Sequence, residues 1–383
     1  MHPSGYFDAN ATTPLFAAAR AVFVEALERN WHNPSSLYHE AGAVRRALET
    51  ARDQLADQLG LSDSHRIVFT SGATESNNLL LRHFAATAPT DSTIVTSHVE
   101  HPCLREPAAT LFPARVVEAP FELPETLDLI RNRQPALVSV MAANNETGVL
   151  HPWHELCSLC RELEIPFHTD AAQWIGKMPL EGIGECDWIT GSSHKFGGPK
   201  GAGFLVVPSD LPKLHGSFSG GPQEQGRRAG TENTPAVLAM CTALEEAESL
   251  LSGCTHSGRD AFEARLRELL PGTRFVGAKR PRLWNTSLFC LPEFGNLKWL
   301  TRLSHLGFQV STGSACSSGA GHPSHVMEAM GLPPSEMGRV LRASSLWQTR
   351  LEDWISLADA IEQVGAELEN PTPESRLRRK VQG

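Results

Sequence analysis

The sequence predicts an α/β protein with a mostly parallel seven-stranded sheet in a large domain and a second, smaller α+β domain. Three observations predict this class. The chain has 383 residues, more than one small core requires, so we expect two domains. Up to about residue 235, seven short apolar runs alternate with helical stretches, as in a parallel sheet covered by helices on both faces. Beyond that point longer helices and fewer strands indicate an α+β arrangement.

The first strong element is a helix in residues 43–60, whose apolar side chains recur at helical spacing. The helical face consists of Val44, Leu48, Ala51, Leu55 and Leu59.

The strands of the large domain are predicted by short apolar or β-branched runs bounded by turns. The seven runs are RIVFT (66–70), STIVTS (92–97), ARVVEA (114–119), ALVSVMAA (136–143), IPFHTD (165–170), DWITGSS (187–193) and GAGFLVV (201–207).

The smaller domain is expected to begin between residues 245 and 260. Its predicted helices cover 236–251, 257–272 and 296–307, with a last helix after Thr349, and its predicted strands lie near 274–278 and 284–290. We therefore divide the chain into residues 1–15, a segment packing with the small domain, residues 16–250, the large domain, and residues 251–383, the small domain with a cysteine loop at 311–323.

Composition excludes several classes of protein. Apolar residues make up 41% and charged residues 20%, which is ordinary for a soluble enzyme. The net charge of -9 gives no general attraction to nucleic acid or acidic membranes, and no apolar run is long enough to span a bilayer. The eight cysteines are scattered, and the start lacks the features of a signal peptide, so we expect thiols in the cytoplasm. Cys157 and Cys160 form a C-x-x-C on a helix and are interpreted as core-facing.

Lys195 stands in "SSHKFGGPKGAG", between two serines with a histidine and a glycine-rich loop. Most lysines in such loops are solvated. The alternative is a lysine that forms a Schiff base with a carbonyl compound in a dry pocket. The lysine alone does not decide between them.

Two further segments allow both a structural and a functional interpretation. In "TSGATESNN" the amides of Ala73 and Thr74 open a helix and favour an anion such as phosphate. On this segment alone Ser71 or Thr74 as a simple helix cap is the better interpretation, because the segment matches neither the P-loop nor the dinucleotide pattern. Asp170 ends a predicted strand, where it could hold a protonated heterocyclic nitrogen or cap the next helix. Gln173 could reach a second polar atom of such a ring.

The remaining candidates are equally open when taken singly. His98 and His101 are three residues apart, but no other ligand cluster matches them, so no metal site is expected. His101 could stack on a flat ring or cap a helix. Cys316 lies in a loop of small residues that would expose a thiol, and the alternative is an inert cysteine at a strand end. Arg342 could clamp a carboxylate or form a surface ion pair, and Asn33 indicates first an Asn-Pro turn.

The order of the motifs is more specific than any one of them. From about residue 6 to residue 350 the chain resembles the cysteine desulfurases, a class V aminotransferase group of fold-type I enzymes that use pyridoxal 5′-phosphate (PLP). The motifs that carry the resemblance are FDANATTP, NPSSLYHEAG, TSGATESNN, VEHPC, NNETG, HTDAAQ, SSHKFGGPKG, GRRAGTEN and GSACSSGAGHPSHV.

The resemblance implies a role for each candidate. Lys195 corresponds to the lysine that carries PLP, Asp170 to the partner of the pyridine nitrogen, and His101 to the imidazole stacked on the ring. Ala73, Thr74, Ser192 and His194 correspond to phosphate-binding residues, and Thr231 to a residue that reaches the phosphate from the neighbouring subunit of a homodimer. Gln173 and Asn145 match residues around the ring hydroxyl, Arg342 and Asn33 those that hold the substrate carboxylate, and Cys316 the persulfide-forming cysteine.

The resemblance thus implies conversion of L-cysteine to L-alanine, with transfer of the sulfur to an acceptor such as an iron–sulfur scaffold or a tRNA-thiolation protein. Pro222 and Gln225 stand where the family usually has glycine and arginine, and Leu346 where glycine is usual. These changes concern substrate preference more than cofactor binding. Two alternatives are another PLP enzyme of this fold, such as a selenocysteine lyase, cystine lyase or aminotransferase, and a non-catalytic sulfur-relay subunit.

Overall fold

The computed structural model describes residues 5–216, 218–313 and 324–370. Within them the chain divides into two units. The large unit comprises Thr12–Asn144 and Leu150–Ser252. The small unit comprises residues 5–11, Asn145–Val149 and the described residues from Gly253 onward. The short segment Asn145–Val149 thus belongs to the small unit, although it lies within the range that the sequence analysis gave to the large domain.

In the described part of the large unit, seven strands form one sheet in the order β1-β7-β6-β5-β4-β2-β3. The predicted mostly parallel sheet is confirmed, because β7 alone among these strands runs antiparallel to its two neighbours. The strands are β1 (His65–Thr70), β2 (Ile94–Ser97), β3 (Val116–Ala119), β4 (Leu137–Ser139), β5 (Phe167–Asp170), β6 (Trp188–Ser192) and β7 (Gly203–Pro208).

Every residue of β2, β4, β5 and β6 is buried, so both faces of the centre of the sheet are covered. Helices α3 to α6 each connect two consecutive strands from β1 to β5, whereas α1 and α2 precede β1 and α7 follows β7. Helix α7 packs against α1 and α2, and α3 packs against α4. The helices are α1 (Ala17–Arg29), α2 (His39–Gln58), α3 (Ala73–Thr87), α4 (Pro102–Leu111), α5 (Leu123–Arg133), α6 (Trp153–Glu162) and α7 (Thr234–Leu250).

The predicted apolar face of α2 is confirmed, since Val44, Leu48, Ala51, Leu55 and Leu59 are each at most 2% exposed. Cys157 and Cys160 on α6 are buried as well, as expected for core-facing positions. The cysteines that the structure describes are thiols and not disulfides.

The small unit contains a three-stranded antiparallel sheet in the order β10-β9-β8 among its described residues. Phe7 lies in its core beside Trp354, because residues 6–8 pair with Gln309 and Ser344. The strands are β8 (Arg274–Val276), β9 (Thr286–Cys290) and β10 (Val340–Ser344). The helices are α8 (Ser257–Leu269), α9 (Asn296–His305), α10 (His325–Ala329), α11 (Pro334–Met337) and α12 (Leu351–Glu369).

Throughout the described ranges, no helix combines the length and the apolar character needed to cross a membrane.

Candidate active site

The carboxyl end of β5 presents the side chain of Asp170, which is only 5% exposed. Its Oδ2 accepts a hydrogen bond of 2.7 Å from Nδ2 of Asn77 in α3, and its Oδ1 accepts one of 3.0 Å from the backbone N–H of Ala172. The second bond is the local turn contact expected of an Asp after a strand. The first bond is long-range and fixes the carboxylate at the edge of the sheet where parallel α/β proteins bind ligands.

The start of α3 lies beside the end of β6. The N-cap residue is Gly72, with φ 147° and ψ 178°, a conformation open essentially to glycine alone, and no side chain of the described residues caps the helix. A Cβ at Gly72 would lie 3.6 Å from Oγ of Ser192, and a Cβ at Gly203 would lie 2.5 Å from the Cα of Gly72. Glycines therefore allow β6, β7 and the first turn of α3 to approach closely.

The amides of Ala73 and Thr74 are in this first turn, and the simple capping role considered for Ser71 or Thr74 is not seen. Instead, the N–H of Ser71 donates a 2.8 Å hydrogen bond to Glu75. Backbone N–H groups at an uncapped helix start, reinforced by the helix dipole, are suited to an anion. Ser192 is buried and Thr74 is exposed.

Lys195 ends the short 3-10 turn Ser193–Lys195, directly after β6, and is half-buried. The turn is held by three backbone bonds at Ser193: its N–H donates to the Ala202 carbonyl at 3.1 Å, and its carbonyl accepts from Phe196 at 3.1 Å and Gly198 at 3.0 Å. The lysine is thus carried by a fixed backbone and not by a solvated loop.

The imidazole of His194 is kept neutral. Burial lowers its pKa to about 4, and the positive charges of Lys195, Lys200 and Lys177 act in the same direction. Its Nδ1 lies 3.1 Å from Oγ1 of Thr12, which orients the ring. A neutral imidazole can donate one hydrogen bond to an anion without a charge of its own.

Gln173 lies one turn beyond Asp170 and is 4% exposed. Its Oε1 accepts a hydrogen bond from Nζ of Lys177, which is 2% exposed. Because the amide oxygen is engaged by the ammonium group, the amide NH2 of Gln173 is the end that is oriented as a donor. The sequence analysis did not single out Lys177.

His101 is the N-cap residue of α4, and its Nδ1 accepts a 3.2 Å hydrogen bond from the N–H of Cys103. The capping interpretation is therefore realised, and it sets the ring orientation. Nδ2 of Asn77 also contacts Sγ of Cys103 at 3.2 Å, so α4 is connected through Asn77 to Asp170. Burial, with the charge of Asp170, raises the pKa of the Cys103 thiol to about 12.

Glu100, next to His101, is fully buried. Its Oε1 accepts hydrogen bonds from Oγ of Ser97 at 2.6 Å and from the N–H of Met141 at 2.8 Å. Burial raises the pKa of this carboxyl to about 8, with a smaller contribution from the charge of Asp170. Glu100 is thus predominantly protonated at neutral pH, and the site avoids two adjacent buried anions.

Asn33 and Thr231 do not belong to this group. Asn33 is exposed, and its Oδ1 accepts a 2.9 Å bond from the N–H of Ser35, which is the expected Asn-Pro turn. Thr231 is exposed. Cys316, with residues 314–323 of its predicted loop, lies outside the described residues.

Asn145 and Arg342 belong to the small unit. Arg342 is 1% exposed, and it is not the surface ion pair considered from the sequence. Its Nη2 lies 2.6 Å from Oδ1 of Asp8, and its Nη1 donates to the carbonyls of Asn145 at 2.9 Å and Gly313 at 2.7 Å. The sequence analysis missed Asp8 as the counter-charge.

The chain is similar to known proteins over most of its length. The chain matches the family model for aminotransferase class-V over residues 5–354. It is 34% identical to cysteine desulfurase IscS of Dictyoglomus turgidum, with 96% of each chain covered. It is similar to the structure of a NifS-like protein, with a TM-score of 0.85 and 30% identity over 94% of this chain and 99% of that one.

It is also similar to the structure of SspA in complex with cysteine, with a TM-score of 0.76 and 28% identity over 89% of this chain and 98% of that one. The family match extends over most of the chain and includes every segment that forms the site. The chain therefore belongs to the class V aminotransferases, as a member of the cysteine desulfurases.

Proposed function

We propose that this cysteine desulfurase converts L-cysteine to L-alanine and collects the sulfur as a persulfide on Cys316. The observation that carries the proposal is the buried Asp170 carboxylate, held by Asn77 in the same helix whose uncapped start faces Ser192. L-Cysteine as the substrate is further supported by the similarity to SspA, whose structure was solved with cysteine.

The donor set of the large unit fits PLP, on which this family depends. A phosphate requires N–H and hydroxyl donors, which the first turn of α3, Ser192 and His194 offer. A protonated pyridine nitrogen requires a carboxylate partner, which Asp170 offers. The neighbouring Glu100 is neutral and does not add a second negative charge. We assign Ala73, Thr74, Ser192 and His194 to the phosphate, Asp170 to the ring nitrogen, Gln173 and Asn145 to the ring hydroxyl, and His101 to the face of the ring.

Bound PLP supplies an electron sink for the negative charge that develops at the substrate α-carbon. Nζ of Lys195 would hold the cofactor and would also serve as the base that moves the α-proton of the substrate. The Asp170 carboxylate would hold the proton of the ring nitrogen. His101 would lie against the ring and limit access of water.

The thiolate of Cys316 attacks the sulfur of the substrate. An S–S bond forms, the C–S bond breaks, and the electron pair of that bond passes to the carbon that is protonated to give alanine. We assign Arg342 and Asn33 to the substrate carboxylate, since a planar guanidinium binds a carboxylate through two parallel hydrogen bonds. Asp8 would then share Arg342 with the substrate.

We further propose a homodimer in which Thr231, exposed in this chain, reaches the phosphate in the partner subunit. The persulfide sulfur would pass to an acceptor protein such as an iron–sulfur scaffold or a tRNA-thiolation protein, in the cytoplasm. Residues 16–250 act as the PLP-binding domain, and residues 251–383 as the small domain that carries the cysteine loop 311–323, with residues 1–15 packing on it.

Borohydride reduction of the PLP-loaded protein, followed by peptide mass spectrometry, tests the cofactor assignment. We expect a pyridoxyl group on Lys195, and none on the nearby Lys177 or Lys200 in the same sample. A Lys195→Ala variant should lose the covalent label. A label on Lys177 in the wild type would contradict the assignment.

A further inference from the structure

Loop 218–233 forms the second part of the connection between β7 and α7 and carries Thr231. It contains two successive non-glycine residues in the left-handed region, Glu224 with φ 49° and Gln225 with φ 56°. Residues other than glycine rarely adopt this conformation, so surrounding contacts must fix it. Pro222 and Gln225, two of the departures from the family pattern, lie here.

The first contact that fixes the loop is made by the Glu224 carboxylate, which is buried. Its oxygens accept hydrogen bonds from Nη1 and Nη2 of Arg52 at 2.7 and 3.1 Å, a fork-to-fork pair, and from the N–H of Phe69 at 3.1 Å. The Arg52 guanidinium lies 4.5 Å from the centroid of the Phe69 ring. Phe69 is in β1, three residues before Gly72, so this contact ties the loop to the strand that leads into α3.

The second contact that fixes the loop is made by Arg228. Its Nε and Nη2 donate to the Glu75 carboxylate at 2.8 and 3.3 Å, and the same carboxylate accepts from the N–H of Ser71. Burial alone would raise the pKa of Glu75, but the bonds from Arg228 and Ser71 lower it, so the pair is ionised. Glu75 is in the first turn of α3. The loop is thus attached on both sides of Gly72.

Gln225 takes part in a third contact, which joins the loop to the segment that directly follows β7. Its Oε1 accepts a 2.9 Å bond from Nη1 of Arg227, whose Nη2 donates to the carbonyls of Ser209 at 3.3 Å and Leu211 at 2.6 Å. Gln225 therefore anchors a buried arginine, which gives this departure from the family pattern a structural reason.

We propose that Glu224 and Arg228 are positioning residues that hold Thr231 in register with the phosphate-binding turn of their own chain, and thereby set where Thr231 meets the phosphate in the partner subunit. This inference rests on the proposed function. The loop of each subunit is fixed to the phosphate-binding turn of its own chain, but its Thr231 contacts the phosphate bound in the partner subunit. A change at Glu224 in one subunit therefore acts on the cofactor of its partner.

The first test is the rate of PLP release from the holoenzyme on dilution into a scavenger, read from visible absorbance and circular dichroism. Glu224→Gln keeps the size of the side chain but removes its charge, and Arg52→Lys removes the fork. We expect each variant to release PLP about tenfold faster, since misplacing a binding group by about 1 Å costs up to about 100-fold. Arg228→Met should act in the same direction.

The matched control is Glu263→Gln in the small unit, which breaks a buried pair with Arg282 of the same 2.7 Å distance. It should lower the melting temperature as Glu224→Gln does but leave PLP release at the wild-type rate. Equal release by wild type and Glu224→Gln, or equally fast release by Glu263→Gln, would overturn the inference. A wild type that binds no PLP would instead refute the proposed function, and this inference with it.

Mixed dimers test the action across subunits. One chain carries Lys195→Ala, so the covalent visible signal comes from the other chain. Adding Glu224→Gln to the Lys195→Ala chain should accelerate PLP release from its unmodified partner about as much as in the homodimeric variant. Acceleration only when Glu224→Gln is in the chain that holds the PLP would contradict the positioning of Thr231 across the interface.

Discussion

Replacing Glu100 with glutamine should make the protein progressively more stable relative to wild type as the pH rises. The carboxyl is buried between Ser97 and Met141, and burial raises its pKa from 4.5 to about 8. In the unfolded chain it ionises near 4.5, whereas in the folded protein it stays protonated up to about 8. Its contribution is therefore fully present below pH 4.5 and is lost as the pH rises to about 8.

The size of the effect follows from the pKa difference. Each pH unit between the two pKa values costs the wild type about 1.4 kcal/mol of unfolding free energy. Glutamine does not titrate, and its Oε1 can accept the same two hydrogen bonds. The difference in unfolding free energy between variant and wild type should thus increase by about 4 kcal/mol from pH 5 to pH 8.

Urea unfolding of the two holoproteins at several pH values measures this difference. Glu248→Gln is the comparison, because burial raises the pKa of this half-buried carboxyl to only about 7 and solvent screens it, so its increase should be clearly smaller. A difference for Glu100→Gln that stays constant from pH 5 to pH 8 would refute the reasoning, since Glu100 would then be ionised in the folded protein.

Four further variants give separate expectations. Asn77→Ala removes the 2.7 Å hydrogen bond to Asp170. It should lower the free energy of unfolding, measured in urea, by about 2 kcal/mol and should accelerate PLP release. An unchanged rate of release would mean that Asn77 does not position the carboxylate. Burial lowers the pKa of His168 to about 3, so its contribution to the free energy of unfolding is present above pH 6.5 and is lost as the pH falls toward 3. The His168→Asn variant should therefore lose stability less steeply than the wild type over that range. Parallel curves of unfolding free energy against pH would argue against a neutral buried imidazole. Arg342→Lys should raise KM for L-cysteine about tenfold or more with little change in kcat, while Asp8→Asn should lower KM by removing a competing carboxylate; an unchanged KM in both would leave Arg342 a purely structural residue.

Much of the fold was predictable because its signals are local. Each of the seven described strands of the large unit coincides with an apolar run of the sequence, and β1 and β7 extend beyond their runs by one residue each. The buried face of α2 follows from helical spacing. Strand β10 was not predicted, since its residues include Arg342 and Ser344, and their burial depends on pairing with β9. The placement of Asn145–Val149 in the small unit likewise depends on long-range contacts.

The site was predictable in part. Asp170 and the start of α3 follow from their positions after strands, where α/β sheets bind ligands. Asn77 was missed, although a buried polar residue amid the leucines of α3 is a signal that it faces a polar partner. That the partner is Asp170, 93 residues away, is a tertiary contact that sequence spacing does not carry.

The most direct test of the account is the alanine formed from L-cysteine by the PLP-loaded protein with excess thiol reductant, comparing wild type with Cys316→Ala and with Cys254→Ala as a matched cysteine control. We expect alanine from the wild type and from Cys254→Ala, and almost none from Cys316→Ala. A yellow, PLP-bound wild type that forms no alanine would contradict the desulfurase function, and equal alanine from Cys316→Ala would contradict the role of Cys316 as the sulfur acceptor.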